Sequence, residues 1–417
     1  MEDINNKRSK ANVWWLSATS FFTDVSSEMI FPILPIFLKS VLGASFVMIG
    51  LIEGIAEGLA SFLKYFSGYF SDLIRRRKGF TLLGYSLSAI SKLFFALAAS
   101  PLTILFFRSL DRIGKGVRTS PRDALIAESV SDQERGKYFG LHRASDTAGA
   151  VLGTLIAVGL LYYFQGITDG SEVVARAIRL ILFLSFIPAL IGVLLLFFVR
   201  ETSSGAPAIS RENLFAFGKF STKFKSFLLV AALFGLANYS YSFYILRAND
   251  LGVALFLIPL IYLIYNIFYA TSAYPAGRLS DKIGRTLILL GAFLLFALVN
   301  LGFAFVSKEI YLWPLFALYG LFIGLTDGVF KAFVSDLSAK EHQGEAFGIY
   351  HTIIGATTFL GNVAAGYLWQ SYGPVWPFAT SAVLIIAAAI LLKFKFNGHS
   401  GILITQNGAK DFKGYRS

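Results

Sequence analysis

Within the stretch from Leu102 to Glu128, seven ionisable side chains crowd together ahead of the closing glutamate: Arg108, Asp111, Arg112, Lys115, Arg118, Arg122 and Asp123. Wound as a helix at about 100° per residue, all seven fall within about 140° of one face. Guanidinium groups on such a face suit bidentate capture of a carboxylate. A carboxylate that pairs with a base in one state and stands alone in another can carry a proton between the two. The remaining positions are mostly Leu, Ile, Phe, Val, Ala and small residues, apolar enough to enter a membrane. A charge at mid-bilayer costs about 3 kcal/mol or more, so this face must look into protein or water. The rest of the chain therefore has to enclose a polar cavity, and the reading is that this cavity is a transport path.

Further charges sit in apolar surroundings. Asp24 and Glu28 stand one helical turn apart, and Glu53, Glu57 and Lys64 share a face through spacings of four and seven. Lys92 lies alone in its run, and His142 and Asp146, flanking Arg143, are one turn apart. Later come Asp327 with Lys331, then His351, among Asn238, Asn266, Asn300 and Asn362. Intramembrane ionisable groups are functional candidates by default. Asp24 and Glu28, with Arg108 and Arg112 as partners, are the expected proton-coupling set. Arg112, Lys115, Asp111, Glu53, Glu57, Lys64, His142, Asp146, Asp327 and Lys331 are the expected substrate contacts. The competing reading is that acids and bases pair off and only fix helix packing, and in the first half their numbers nearly balance. That plainer reading is preferred for Arg118, Arg122 and Asp123, since charges near a helix end reach the interface cheaply. Pro121 is expected to kink or stop the helix there. Tyr239, Tyr241, Tyr244, Tyr262 and Tyr265 are possible cavity lining, with packing the default for any one of them.

These groups need long apolar elements to position them. The chain has 417 residues, 55% hydrophobic and 15% charged, against about 25% charged in soluble domains. Its apolar runs reach about 20 residues, the length of a membrane helix rather than of a barrel strand. The expected fold is therefore all-α and integral to a membrane. There is no cysteine, which excludes disulfide and thiol chemistry, and the four histidines are scattered, so neither a metal nor a cofactor is expected. No signal peptide is visible after the polar start MEDINNKRSK. The net charge of +12 reads as basic cytoplasmic loops rather than a nucleic-acid surface.

Twelve spans are expected, over 13–39, 45–71, 79–99, 102–126, 137–165, 175–199, 226–247, 252–276, 286–306, 311–336, 344–370 and 374–395. They group as an N-terminal six-helix bundle (1–199), a linker (200–225), a C-terminal six-helix bundle (226–396) and a tail (397–417). Lys and Arg concentrate in one set of loops, which places both termini and the linker in the cytoplasm. Leu214, Phe217, Phe220 and Phe224 recur at helical spacing among lysines, predicting a short helix on the inner membrane surface. The halves are copies: RTSPRDALIAESVSDQERGKYFGLHR aligns with TDGVFKAFVSDLSAKEHQGEAFGIYH at an offset of 208, without gaps. Gly116 then meets Gly324, Glu128 meets Asp336, and Gly153 meets Gly361. Upstream, Gly68 matches Gly277 and Asp72 matches Asp281 at an offset of 209. Parallel repeats of this kind predict a binding site between the halves near the bilayer midplane.

The loop Gly277 to Thr286, GRLSDKIGRT, resembles the loop signature of the major facilitator superfamily. The earlier copy, GYFSDLIRRRK from Gly68, departs from it, with Leu73 in place of the base and an arginine in place of the second glycine. The resemblance implies a conformational latch formed by Gly68, Asp72, Arg75, Arg76, Gly277, Asp281, Lys282 and Arg285, with Arg77 a substitute. The run RSLDRIGKG, Arg108 to Gly116, is similar to the family's fourth-helix motif, often linked to proton coupling. Arg108, Gly114 and Gly116 match, Arg112 replaces a glycine, and Lys115 is an added charge.

The expected function is secondary active transport by alternating access across the bacterial inner membrane. No P-loop is present, so protons are the expected driver. The favoured cargo is a small organic anion, a carboxylate-bearing metabolite or chelator. The alternatives are a proton-driven exporter of amphipathic drugs and a non-transporting sensor or scaffold on a transporter fold. No enzyme is expected, because no nucleophile–base or metal constellation appears. The expected partners are the solute, protons and lipid, with the chain a monomer that binds no nucleic acid.

Overall fold

The computed structural model describes residues 2–74, 76–131, 134–165, 171–201, 220–339 and 342–396, with side chains throughout except at 2–9, 65, 68–70, 72, 73, 165 and 171. Twelve helical rods run through the described residues. The first six are α1 (Glu2–Ile30), α2 (Phe46–Ile74), α3 (Arg77–Leu97), α4 (Pro101–Glu128), α5 (Arg135–Gln165) and α6 (Ser171–Leu184, resuming as Phe186–Leu195). The second six are α7 (Thr222–Ala237, resuming as Tyr241–Asp250), α8 (Ile258–Ile283), α9 (Arg285–Phe305), α10 (Leu312–Asp336), α11 (Gln343–Tyr372) and α12 (Val375–Phe396). Ten of the rods are long and apolar enough to cross a membrane by composition; α4 and α11 fall short, although both have the length. For α4 the cause is its charged face. The proposed helix within the linker falls on residues outside those described, as does the tail.

The packing repeats between halves. α1 packs on α5 and α2 on α4; correspondingly α7 packs on α11 and α8 on α10. Glycines make these approaches possible at equivalent places. A Cβ on Gly116 of α4 would come within 2.7 Å of Leu63 Cβ on α2. One on Gly324 of α10 would lie 3.0 Å from the Tyr269 carbonyl oxygen of α8. Gly153 abuts the Val25 backbone of α1, and Gly361 would set a Cβ 2.6 Å from the Leu236 carbonyl oxygen of α7. Small residues of this kind let membrane helices meet backbone to backbone. Gly277 is different: nothing lies within 4 Å of a Cβ there, so it is not a helix contact.

Breaks in the rods have local causes. Pro32 and Pro35 end α1 at Ile30, and the chain continues through Leu34–Ile36 into a π-turn over Phe37–Val41. Pro188 lacks the N–H that would bond Leu184, and α6 breaks between those residues at Ser185. Pro121 does not stop the helix, for α4 runs through it to Glu128. The backbone of the α7 break over 238–240 finds partners within the protein, although Asn238 Oδ1 has none. Ser240 N–H donates to Asn362 Oδ1 at 2.8 Å, and Ser381 Oγ donates to the Ala237 carbonyl at 2.6 Å. Unwound backbone at membrane depth is tolerated where protein groups complete its hydrogen bonds in this way.

The halves meet along two equivalent seams, α2 against α11 and α5 against α8. The α2–α11 seam is closely fitted. Cβ atoms on Gly54 and Gly58 would meet the carbonyls of Phe359 and Gly355 at 2.9 and 3.4 Å.

Candidate functional site

Between the halves lies a cavity of about 690 Å³, lined by α1, α2, α4 and α5 from the first and α7, α8, α10 and α11 from the second. It opens toward the end of the bundle that carries Lys10, Arg77, Glu134 and Arg285, called here the basic end. The lining side chains nearest that end are well exposed: Arg143 60%, Lys331 50%, Asp327 45% and Asp123 42%. At the other end the cavity is shut.

The closure is a polar cluster that crosses between halves. Arg108 Nη2 donates to Glu53 Oε2 at 3.3 Å and to the Tyr241 hydroxyl at 3.1 Å. Ser240 Oγ donates to the same Glu53 oxygen at 3.1 Å. Both Arg108 and Glu53 have 0% side-chain exposure. The Phe31 ring lies under this cluster, with the guanidinium carbons of Arg108 and Arg112 at 4.9 and 5.0 Å from its centroid. Tyr241 and Ser240 stand at the α7 break, so that irregular backbone delivers their hydroxyls to the first half. Farther out, Phe46 stacks on Trp369 at 4.8 Å, with the Lys39 ammonium 4.1 Å above the Phe46 ring.

The charged face of α4 points into the cavity as its spacing predicts: Asp111, Arg112, Lys115, Arg118, Arg122 and Asp123 all line it. So do Asp24, Glu28, Lys64, Asp146, Asp327 and Lys331. Three expected contacts, Glu53, Glu57 and His142, and one expected proton-coupling partner, Arg108, do not. Arg108 and Glu53 form the closing cluster. Glu57 lies beside Arg112, Oε1 3.6 Å from Nη1. His142 is buried 3.8 Å from Asp146, and its ring nitrogens have no hydrogen-bond partner. Arg118 and Arg122, taken from the sequence as interface charges, reach the cavity instead. The length of α4 beyond Pro121 keeps them inside the bundle.

Many lining charges are neutralised locally. Arg112 has Glu57 and, 3.9 Å from Nε, Asp111. Arg122 holds Asp123 at 2.8 Å, and Lys331 holds Asp327 at 2.8 Å. Arg118 donates to Ser88 Oγ at 2.5 Å and covers the Tyr85 ring. Arg143 donates to the Tyr269 hydroxyl at 3.1 Å, which donates to Asp327 Oδ2 at 3.1 Å, linking α5, α8 and α10. Among the described residues, five lining charges are left outside any ion pair: Asp24 and Glu28 on α1, Lys64 on α2, and Lys115 and Arg118 on α4, of which Arg118 is held by Ser88 and the Tyr85 ring. Glu28 accepts a hydrogen bond from Asn266 Nδ2 of α8 at 3.1 Å. Lys92, behind the wall, donates to Ser27 Oγ at 2.9 Å. No group of His, Asp and Glu among the described residues could hold a metal ion.

At the basic end, Arg285 binds Asp281 and Asp336, and Arg77 binds Glu128. Of the other expected latch residues, Arg76 and Lys282 are exposed. Arg75, the Asp72 side chain and the surroundings of Gly68 lie outside the described residues. The α7 break and the partnership of Tyr241 with Arg108 go beyond what the sequence predicts. The only signal was Asn238 and Ser240 interrupting an apolar run.

A profile described as Major Facilitator Superfamily matches residues 16–263 and 227–402. A protein of Methanocaldococcus jannaschii described as an uncharacterized MFS-type transporter is 41% identical over 398 residues, 94% of this chain and 96% of that one. Multidrug resistance protein MdtH of Cronobacter sakazakii is 25% identical over 405 residues, 95% of this chain and 97% of that one. Among solved structures, nucleoside transporter NupG matches with a TM-score of 0.73 at 14% identity, over 92% of this chain and 99% of that one. The human organic anion transporter MFSD10 matches with a TM-score of 0.61 at 15% identity, over 93% and 99%.

Proposed function

The chain belongs to the major facilitator superfamily, and on that premise we propose that it is a proton-coupled secondary active transporter of a small organic anion. It sits in the plasma membrane with both termini and the basic end in the cytoplasm, so the arrangement described is inward-open. Alternating access follows if the halves rock about the cavity, closing the basic end and parting Arg108 from Tyr241.

One observation carries this reading: Asp24 and Glu28 on one helix, and Lys64 and Lys115 on two others, line the same cavity outside any ion pair. A carboxylate solute would sit with Lys64, Lys115 and the edge of Arg112, while Asp24 and Glu28 take protons. Asp111, Glu53, Glu57, His142, Asp146, Asp327 and Lys331 then hold the bases and the walls in place. Arg285 and Arg77 fasten the loops that must move at the basic end.

The test is purified protein in liposomes under an imposed pH gradient, with a panel of radiolabelled carboxylates inside or out. Uphill movement that collapses with a protonophore, and is absent in D24N/E28Q, is expected. Gradient-driven movement undiminished in that double variant would overturn the proton role.

A second reading, extrusion of amphipathic cations, is favoured by the likeness to multidrug resistance protein MdtH along most of both chains. On that reading Asp24 and Glu28 bind the cation, and the same liposomes would move lipophilic cations and no carboxylate.

A further inference from the structure

The repeat that built the two halves has been filled with different chemistry on each side of the cavity. At the offset of 208, Arg112, Lys115, Arg118 and Arg122 of α4 correspond to Gly320, Ile323, Thr326 and Phe330 of α10. At the offset of 209, Glu53, Glu57 and Lys64 of α2 correspond to Tyr262, Asn266 and Ala273 of α8. Every ionised position of the first half in these two sets is apolar, aromatic or an uncharged polar residue in the second. Of the lining charges in the second half, Asp327 and Lys331 neutralise each other at 2.8 Å.

In place of charge the second half presents rings. Phe234, Tyr265, Tyr269, Phe330 and Tyr350 line its wall, whereas Phe31 is the one aromatic residue among the lining side chains of the first half. The tyrosines of α8 form a stack along the wall. Tyr262 and Tyr265 lie 5.4 Å apart with planes at 25°, and Tyr265 and Tyr269 lie 6.5 Å apart at 24°. Tyr319 backs Tyr265 at 4.9 Å, which fixes the ring that faces the cavity. Tyr269 is fixed by its bonds to Arg143 and Asp327. Rigid, near-parallel faces of this kind favour another flat ring placed in offset stacking beside them. Lys64 and Lys115 of the first half line the same cavity.

The geometry points to a cargo with two ends: a flat aromatic or heteroaromatic ring that stacks on Tyr265 and Tyr269, and a carboxylate that reaches Lys115 and Lys64. This inference rests on the anion reading above and narrows it to aromatic acids. The first half reads charge and supplies the proton sites; the second half reads shape and planarity. An aliphatic carboxylate would satisfy the lysines and leave the tyrosine wall unused.

The test measures binding of matched probes to the purified full-length protein by isothermal calorimetry. The probes are 2-naphthoate, its fully saturated decahydro analogue and 2-naphthamide, in which the charge is absent. Naphthoate is expected to bind about tenfold more tightly than the saturated acid, the size of effect two aromatic contacts give. It should also bind more tightly than the amide. Tyr265→Leu combined with Tyr269→Leu should erase the preference for the ring and keep that for the charge. Lys64→Gln combined with Lys115→Gln should do the reverse, which shows that each pair of variants still folds. If both acids bind alike, the inference is overturned while the anion reading stands. If naphthoate and naphthamide bind alike, the anion reading fails and this inference fails with it. If none of the three binds, the inference is overturned, and a panel of aliphatic carboxylates in the liposome assay decides the anion reading separately.

Discussion

Arg285 holds Asp336 at 3.1 Å through Nε, and 208 residues earlier Arg77 holds Glu128 in the same position of the repeat. Each pair ties the start of one rod to the end of the next, α9 to α10 and α3 to α4. The offset of the repeat falls from 209 at Asp72 and Asp281 to 208 at Arg77 and Arg285. The first loop is therefore one residue longer, and that residue moves the pairing arginine from 76 to 77. In the second half Arg285 also takes Asp281 at the end of α8.

Arg285→Ala should release the α8–α9 loop from α10. Its partners are substantially exposed, Asp281 at 62% and Asp336 at 46%, so the expected stability loss is small, about 1 kcal/mol or less. The expected effect is on movement. Transport in liposomes should slow while binding of the solute to the detergent-purified protein stays as it was. A Tm drop of many degrees with loss of binding would show that Arg285 serves folding and not the loop.

The helix count and the polar face of α4 were legible in the sequence because each obeys a local rule. Apolar length sets a membrane span, and 3.6-residue periodicity sets which side chains share a face. The repeat was legible too, since Gly116 with Gly324 and Gly153 with Gly361 need no structure to align. Which charges face the cavity was less so. Arg108 lies on the same helical face as Arg112, yet it sits one turn nearer the closed end, where Glu53 and Tyr241 enclose it. That outcome depends on where the second half lies, and no spacing within α4 encodes it. Tyr241 likewise looked like any packed aromatic in a chain that is 16% aromatic.

Glycine at a seam and glycine at a surface should respond in opposite ways. On Gly54→Ala the new methyl would lie 2.9 Å from the Phe359 carbonyl oxygen, and this contact is backbone that cannot turn aside. Overpacking of that kind costs about 1–3 kcal/mol. On Gly277→Ala the methyl meets nothing within 4 Å, and the residue lies inside α8. There the gain in helix propensity is about 0.5–1 kcal/mol. Thermal unfolding in detergent should thus place G54A below the parent protein and G277A level with it or above. Equal Tm values for the two would mean that the α2–α11 seam yields easily.

Glu28 bonds Asn266 across the α1–α8 contact, so its protonation is joined to the relation between halves. In Glu28→Gln the side chain can still accept from Asn266, while the charge and the proton are gone. Exchange of labelled for unlabelled solute should persist in E28Q, and accumulation driven by a pH gradient should be lost. Asn266→Ala removes the bond and leaves the acid, so it should keep driven accumulation with an altered pH dependence. If E28Q accumulates solute as the parent does, Glu28 is not the proton site and Asp24 becomes the remaining candidate.

Opening the far end requires the hydrogen bonds of Tyr241 and Ser240 to the first half to break. They join Arg108 and Glu53, both fully buried, so their loss leaves charged groups less well satisfied. A hydrogen bond to a charged group contributes about 1.5–3 kcal/mol. Tyr241→Phe removes one such bond from the state open at the basic end, which shifts the balance toward the state open at the far end by about tenfold or more. The chain has no cysteine, so labels can be placed without altering a background. Spin labels at Ser40→Cys, beyond α1, and Ser371→Cys, near the end of α11, report the separation of the halves at that end, where both residues are exposed. A single short distance in the parent protein and an added longer one in Tyr241→Phe is the expected double electron–electron resonance result. If the distribution is unchanged in Tyr241→Phe and in Ser240→Ala, the cluster does not hold the far end shut. Closure would then rest on the apolar contacts beyond it, beginning with Phe46 on Trp369.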